Sequence, residues 1–363
     1  MKKKLVGVLV SLTMISSILI GCGGNSSQNS SNQAKEEPKA QTSTESTTQA
    51  TAQPVSDDGK TYELRSSTNQ AESGTIGKAL TYFCDTVEKK SNGRIKTTAN
   101  YGNELGAQSE QVEMAQSGAL ELVLAAPGTG PGVWVPELQM YEFPFLFDSN
   151  DQYRKVTRGL EDEVNARLSS YGLYTYGTMS MGSRDMLTVK PVTKLEDMKG
   201  LKMRGPNNIY ISMFEHLGAS GTTMDWNEIY TALQTKVMDG MEASPSMINS
   251  MKFQDNAKYL ALTNHCMACI EFYFNTDWFK NLPDDLQQVI KESVDETEAY
   301  QDKLDDEDNQ KALEEMKNEG VTVTEIKDID KWKEACAPML QEYRDKGDNW
   351  NSFIDKILEM KKQ

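Results

Sequence analysis

The chain has 363 residues, with 54 acidic against 38 basic side chains and a formal net charge of -16. Phosphate binding needs a basic surface, so this charge balance argues against a nucleic-acid partner. An acidic protein can still bind an anion through locally placed arginines, and a specific arginine is therefore the residue to look for.

The N-terminus has the pattern of a signal peptide. Three lysines at positions 2–4 precede an apolar run over residues 5–20, which is too short and too closely followed by polar sequence to be a convincing membrane span. The run ends in Gly21-Cys22, which resembles the bacterial lipobox, where cleavage leaves the cysteine to be lipidated. The alternative is a plain secretory signal with a free cysteine. We predict a signal peptide over residues 1–21 and an extracytoplasmic protein that is lipid-anchored through Cys22 to the outer face of the cell membrane.

Residues 22–58 are predicted to form a flexible linker behind the lipidated cysteine. The segment is rich in Ser, Gln, Asn, Thr and Ala and has almost no large apolar residue, so it cannot bury enough surface to offset its conformational entropy. The folded part begins near Thr61 and runs for about 300 residues, which is enough for two lobes with their own cores.

The first folded segment alternates strands and helices. Hydrophobic periodicity predicts, in order, a strand at 61–67, a helix at 76–87, a strand at 94–101, a helix at 107–117 and a strand at 120–126. This order is typical of an open α/β sheet, in which ligands collect at the carboxyl ends of strands. The loops after Ser67 and Ala126 are therefore candidate binding loops.

The middle of the chain repeats this pattern and leads into a long helix. Strands are predicted at 186–189, 200–204, 222–224 and 265–275, and helices at 210–217 and 226–236. Asp225 followed by Glu228 resembles a capping box, with Asn227 as the alternative cap. A helix that opens at Pro283 and continues to about residue 318 has sparse apolar positions, which suits a helix lying across two lobes.

Two features suggest a metal site, and both have a simpler interpretation. Cys266 and Cys269 have metal-motif spacing, but residues three apart on a strand face opposite sides, and zinc sites usually bring a second ligand pair. With Cys84 and Cys336 they make an even number, so a disulfide is an open alternative to packed thiols. The acidic run over 302–308 is interpreted as a solvated helix face, with a metal site as the minor alternative. We predict no metal.

Catalytic signatures are missing from the sequence. It has two histidines, His216 on a predicted helix and His265 on a predicted strand, and no Gly-x-Ser-x-Gly elbow. The glycine-rich run over 128–132 lacks the lysine of a phosphate loop. We predict a binding protein that is not an enzyme and has no cofactor.

An ordered set of segments resembles a known family. The set comprises Gly102–Gly106, Gln116–Glu121, Phe143–Phe147, Leu195–Arg204, Leu217–Ala219, Glu228–Gln234 and Val237–Glu242. In this order they resemble the solute-binding proteins of TRAP transporters, the DctP family. The resemblance implies a two-lobed α/β fold like that of periplasmic binding proteins, with open sheets, a cleft between the lobes and a long helix spanning both.

The same resemblance implies the ligand and the partners. We predict lobe I from residues 59–181 and 269–308, and lobe II from residues 182–268 and 309–363. The ligand would be a small organic acid, either a sugar acid such as a uronate or a C4-dicarboxylate. The partners would be integral-membrane TRAP transporter subunits, with the binding protein a monomer. A binding protein that serves a membrane sensor or chemoreceptor is the alternative.

The resemblance assigns the ligand carboxylate to Arg204. In the family an arginine at this position forms a bidentate salt bridge, because two parallel guanidinium donors match two carboxylate oxygens. Arg184 matches a position that often contacts the ligand, with a salt bridge inside the lobe as the alternative. Trp226 matches a position where an aromatic ring often covers the ligand, with core packing as the alternative.

The polar contacts to the ligand are less clearly marked. Many family members have an asparagine where this chain has Ala243, so that contact is absent or Ser244 supplies it. First-lobe candidates lie in two loops and are Gln70, Glu72, Ser73, Pro127, Gly128 and Thr129. Glu72 would suit a ligand with hydroxyl groups, which favours a sugar acid.

Overall fold

The computed structural model describes residues 59–362. The predicted signal peptide, the lipidated Cys22 and the linker lie outside the described residues.

Nine strands within residues 59–362 form one mixed sheet. They are β1 (Tyr62–Thr68), β2 (Ile95–Asn100), β3 (Leu122–Ala125), β4 (Leu173–Thr188), β5 (Lys202–Gly205), β6 (Ser220–Thr223), β7 (Gly240–Ala243), β8 (Tyr259–Asn275) and β9 (Thr322–Glu325). Their order is β2-β1-β3-β8-β4-β7-β5-β6, and β9 pairs with β8. The α/β class is as predicted, but a single continuous sheet replaces the separate open sheets expected for two lobes.

Twelve α-helices lie in the described part of the chain. They are α1 (Thr75–Lys90), α2 (Gln108–Ser117), α3 (Asn150–Gly159), α4 (Glu161–Leu168), α5 (Asn208–His216), α6 (Ile229–Gln234), α7 (Pro245–Ser250), α8 (Thr276–Asn281), α9 (Asp284–Asn318), α10 (Ile329–Cys336), α11 (Met339–Arg344) and α12 (Asp348–Lys361). The 35 residues of α9 contact α1, β4 and α7, which confirms the predicted long helix across both parts of the fold. Within residues 59–362, none of the helices combines the length and the apolar character that a bilayer crossing requires.

The first α/β segment follows from its local sequence pattern. β1 pairs in parallel with both β2 and β3, and all four residues of β3 are buried, as a continuous apolar run predicts. Ile76, Leu80, Phe83 and Val87 of α1 recur at helical spacing and are almost fully buried. This apolar face packs toward the sheet and forms the core of this half.

Two long antiparallel strands join the halves of the sheet. β4 has 16 residues and β8 has 17, whereas the sequence pattern predicts a short strand at 186–189 and an extended strand at 265–275. The register between them shifts at three places, and Gly177 and Gly182 lie within two of these with φ values of 99° and 72°. Such bulges interrupt the alternation of side chains, which is why periodicity underestimates the length of β4.

In both halves of the sheet, the carboxyl ends of the shorter strands lie next to the middle of β4 and β8. β3 ends at Ala125, opposite Glu271 of β8, and β7 ends at Ala243, opposite Asp185 of β4. β1 runs parallel to β3, and β5 runs parallel to both β6 and β7. Because β4 and β8 are antiparallel to each other, the two sets of ends approach from opposite sides. A ligand site is expected where they meet.

The acidic run within α9 is only partly a solvated face. Asp302 pairs with Arg154, and Asp308 lies 3.1 Å from Lys78. Asp305 is buried, and this burial raises its pKa to about 8. The prediction of a solvated face is therefore wrong for Asp305, because the helix turns that side chain toward the protein interior.

The C-terminal segment contacts both predicted lobes. β9 pairs with the start of β8 in predicted lobe II. α12 packs on α3 and on the 3₁₀ segment Pro136–Glu142, both in predicted lobe I, with the rings of Phe353 and Tyr141 5.4 Å apart. The predicted lobe boundaries remain a prediction: β4, β8 and α9 run through them, and α12 belongs to predicted lobe II but packs on lobe I.

Candidate ligand-binding site

A cavity of about 420 Å³ lies where the carboxyl ends of the strands converge. One wall comes from the loops after β1 and β3, and the opposite wall comes from β5 and the segment after β6. The long strands β4 and β8 contribute Met181, Arg184, Cys269 and Ile270. Its volume and its mixture of apolar and polar groups are typical of a site for a small molecule.

Five of the ten candidate ligand-contacting residues line this cavity. They are Gln70, Thr129, Arg184, Arg204 and Trp226, drawn from both walls and from β4. Residues from the two predicted lobes therefore meet around one volume.

The other five candidates lie outside the lining, and their contact with a ligand remains a prediction. Pro127 is buried. Glu72 and Ser73 are exposed on the loop before α1. Ser244 is fully buried, and its Oγ lies 3.4 Å from Ser246 Oγ, so it does not replace the side chain that Ala243 lacks. Gly128 stands behind the wall, where its N–H donates to Glu142.

Arg204, on β5, is a buried cation without an acidic partner in the described part of the chain. The side chain is 5% exposed, and its Nε and Nη2 both donate to the carbonyl oxygen of Met224 at 2.9 and 2.8 Å. None of the salt bridges within residues 59–362 includes it. Burial lowers the pKa of Arg204 to about 10, and neighbouring Arg184 acts in the same direction. The guanidinium is still protonated at neutral pH, so it is suited to bind an anion in the cavity.

Arg184, on β4, is a second buried arginine of the cavity, but unlike Arg204 it has an acidic partner. Its Nε donates to one carboxylate oxygen of Glu242, and its Nη2 lies 2.7 Å from the other. Burial opposes ionisation of both groups, but their attraction raises the pKa of Arg184 and lowers that of Glu242. The salt-bridge alternative is therefore observed, and Arg184 lines the cavity as a cation that is already neutralised.

Trp226 forms an apolar part of the wall. The Asp225–Glu228 capping box predicted from the sequence is present at the start of its turn, and the ring packs edge-on against Phe253 at 5.0 Å. The guanidinium of Arg204 lies 5.8 Å from the ring centroid, within the range of a cation–π contact. Packing and cavity lining are thus both observed for this residue.

A chain of hydrogen bonds holds the polar wall, and the sequence pattern missed half of it. Asn69 Oδ1 accepts from Gln70 at 2.9 Å and from Gln108 at 3.1 Å. Gln108 Oε1 in turn accepts from Thr129 at 2.5 Å. Asn69 could have been predicted, because it directly follows β1 and so lies in a candidate binding loop. Gln108 could not, because it lies on helix α2, where no motif indicates a ligand contact.

Glu142 is a carboxyl group in the cavity lining that no sequence pattern indicated. It ends the 3₁₀ segment Pro136–Glu142, lines the cavity and accepts from the side-chain amide of Asn207, the N-cap of α5. Burial raises the pKa of Glu142 to about 7, although Arg184 and Asn207 act to lower it. The pairing joins the 3₁₀ segment to the start of α5, which follows β5.

The cysteines and the nearby acid do not make a convincing metal site. Glu242, His265 and Cys266 offer donor atoms within 4.8 Å of one another. Both Glu242 oxygens already accept from Arg184, and burial raises the pKa of the Cys266 thiol, whereas a metal requires the thiolate. All four cysteines of the described residues are buried and free, as packed thiols are.

Comparisons with known proteins agree with this geometry. The family described as "Bacterial extracellular solute-binding protein, family 7" (DctP) matches residues 66–346. A solute-binding protein of Verminephrobacter eiseniae is 32% identical over 279 residues, covering 76% of this chain and 83% of the relative.

Two solved structures are similar over most of the chain. The sugar acid binding protein DctPAm from Advenella mimigardefordensis, in complex with galactonate, has a TM-score of 0.78 and 29% identity and covers 84% of this chain and 98% of that one. A TRAP periplasmic solute binding protein from Xanthobacter autotrophicus, with bound β-D-galacturonate, has a TM-score of 0.76 and 27% identity and covers 82% and 99%. The chain described here therefore belongs to the DctP family of bacterial extracellular solute-binding proteins, the binding proteins of TRAP transporters.

Proposed function

We propose that this protein is a lipid-anchored, monomeric binding protein that captures a small carboxylate-bearing solute outside the cytoplasm and delivers it to TRAP-type membrane transporter subunits. The observation that carries this proposal is Arg204, a buried guanidinium that lines the cavity and has no carboxylate of the described residues bound to it. A carboxylate ligand supplies the missing charge and the missing acceptors.

A sugar acid is the ligand class that the lining favours. Beyond Arg204 the cavity presents hydrogen-bonding side chains suited to hydroxyl groups, among them Asn69, Gln70 and Gln108. Two similar structures hold galactonate and galacturonate. A C4-dicarboxylate such as succinate would use the same arginine, but it has no hydroxyl groups to bond to the donor and acceptor atoms that these side chains do not spend on one another.

The ligand class is tested by a screen on the purified folded part. D-glucuronate, D-galacturonate and galactonate should raise the melting temperature, because a ligand that binds only the folded state stabilises it. D-glucose, which lacks the carboxylate, should produce no shift at the same concentration. The acids should also reduce the radius of gyration in small-angle scattering, since a ligand that contacts both lobes favours their closure.

Two results of this screen would contradict the proposal. One is equal stabilisation by D-glucose and D-glucuronate, which would mean that the carboxylate is not recognised. The other is the absence of binding by any organic acid in the panel.

The lipid anchor is tested at Cys22. Mass spectrometry of protein from the native membrane should find the mature chain beginning at a diacylglycerol-modified Cys22. Cys22→Ser should abolish the modification and release the protein from the membrane fraction, whereas Cys84→Ser, at a buried thiol of the folded part, should leave it anchored. An unmodified Cys22 in a freely secreted wild-type chain would refute the anchor.

A further inference from the structure

Glu142 is a carboxyl group built into the wall of the cavity. It is 4% exposed and lines the cavity. Its described donors are the side-chain amide of Asn207 and the N–H of Gly128. A carboxylate has about four acceptor positions, so these two donors leave acceptor capacity for a group in the cavity.

Gly128 holds this carboxyl in place through its lack of a side chain. A Cβ atom at position 128 would lie 2.5 Å from Glu142 Oε2 and 2.6 Å from Asn207 Nδ2. Those contacts are too short to be tolerated, so the backbone approaches the Glu142–Asn207 pair as closely as it does because residue 128 is glycine. The position of the Glu142 carboxyl is therefore specified from three separate parts of the chain.

The charges around the cavity match one anionic group in a ligand, not two. Of the two lining arginines, Arg184 is neutralised by Glu242, which leaves Arg204 as the cation available to a ligand among the described lining residues. The lining also contains Glu142, Asp225 and Glu228. A second carboxylate on the ligand would meet acidic side chains without a free cation, and like charges in a buried site repel.

We propose, on the basis of the function proposed above, that Glu142 is a specificity-determining residue, which accepts a hydrogen bond from a hydroxyl group of the ligand and disfavours a ligand with a second carboxylate. The ligand class is then a hydroxylated monocarboxylate. Arg204 binds its carboxylate, and Glu142, from the other wall of the cavity, selects its uncharged end.

The test is the affinity of Glu142→Gln for two acids, measured by calorimetry with D-glucuronate and succinate at a pH above the raised pKa of Glu142, about 7, so that the wild-type carboxyl is ionised. Glutamine keeps the shape and one oxygen acceptor but removes the charge. We expect D-glucuronate to bind about 10- to 100-fold more weakly, because a hydrogen bond to a charged acceptor is lost. Succinate should bind as well as to the wild type or more tightly, so that the preference for the hydroxylated acid falls by at least about tenfold.

Two further variants separate specificity from folding. Glu137→Gln changes an equally buried glutamate of the same 3₁₀ segment that does not line the cavity, and it should leave the ratio of the two affinities unchanged. Gly128→Ala displaces Glu142 without altering any charge and should reduce the ratio as Glu142→Gln does.

The outcomes distinguish a failure of the role proposed for Glu142 from a failure of the proposed function. A loss of both affinities by the same factor in Glu142→Gln, or no change in either, would overturn the role of Glu142 while leaving carboxylate capture by Arg204 intact. A wild-type protein that prefers succinate would overturn it as well. A wild-type protein that binds neither acid nor any other carboxylate would overturn the proposed function itself.

Discussion

Arg204→Lys should weaken binding of the organic-acid ligand about 10- to 100-fold without unfolding the protein. Lysine keeps the positive charge but cannot place two parallel donors against two carboxylate oxygens, and hydrogen bonds between charged groups contribute enough to account for that loss. Arg204→Met, which also removes the charge, should weaken binding about 100-fold or more. Isothermal titration calorimetry with the best acid from the screen measures both.

The stability of these variants provides a second, independent readout. The folded-state pKa of Arg204, about 10, lies below its ordinary value of 12.5 because burial disfavours the charge. At neutral pH, which is below both values, the cost of the buried cation is fully present. The melting temperature of ligand-free Arg204→Met should therefore be no lower than that of the ligand-free wild type. Removal of a functional group that destabilises the folded state commonly has this effect.

A matched control uses an arginine far from the cavity. Arg344 on α11 pairs at 2.6 Å with the exposed Asp355, so Arg344→Lys should alter neither binding nor stability measurably. Unchanged ligand affinity in Arg204→Lys and in Arg204→Met would remove the guanidinium from the proposed binding mechanism.

Glu242→Gln should have the largest effect on stability, with a loss of about 3–5 kcal/mol in the free energy of unfolding. The variant leaves the guanidinium of Arg184 buried beneath the cavity without its charge partner, and both side chains are at most 9% exposed. Replacing both residues, as Arg184→Met with Glu242→Leu, should recover most of the loss, because no unpaired charge then remains. Urea unfolding of Glu242→Gln measures the loss, and urea unfolding of Arg184→Met, Glu242→Leu and the double variant measures the coupling.

The same pair predicts the direction of a pH effect. Burial alone would raise the pKa of Glu242, but Arg184 and His265 outweigh it and hold that pKa below its ordinary 4.5. A group whose folded-state pKa is depressed contributes stability above its unfolded value and loses it as the pH falls through the folded value. The difference in stability between wild type and Glu242→Gln should therefore be complete at neutral pH and shrink in acid.

An exposed ion pair serves as the comparison for Glu242. Asp355→Asn breaks the surface pair with Arg344 and should cost no more than about 1 kcal/mol. If Glu242→Gln cost as little as Asp355→Asn, the buried pair would not be the structural support of the cavity wall that its geometry indicates.

Elements with a strong local signal were predictable because short-range physics decides them. Helix α1 shows its buried face at a spacing of three and four residues, β3 is a continuous apolar run, and the capping box before Trp226 needs residues only three apart. Arg204 was found because it ends an ordered run of family-like sequence, and its type suits carboxylate recognition. The bulged length of β4 escaped prediction because its side-chain alternation is interrupted.

What the sequence determined by itself is the class of fold, the order of its elements and the presence of arginines suited to an acid. Only the tertiary structure decided which arginine is free for a ligand, because Arg184 is neutralised by a glutamate 58 residues away while Arg204 is not. It also leaves Glu72 exposed and places Glu142 in the lining of the cavity, where it accepts a hydrogen bond from Asn207 at a separation of 65 residues. The charge and burial of a side chain depend on neighbours that the chain brings together only on folding, so its chemistry cannot be read from its own position in the sequence.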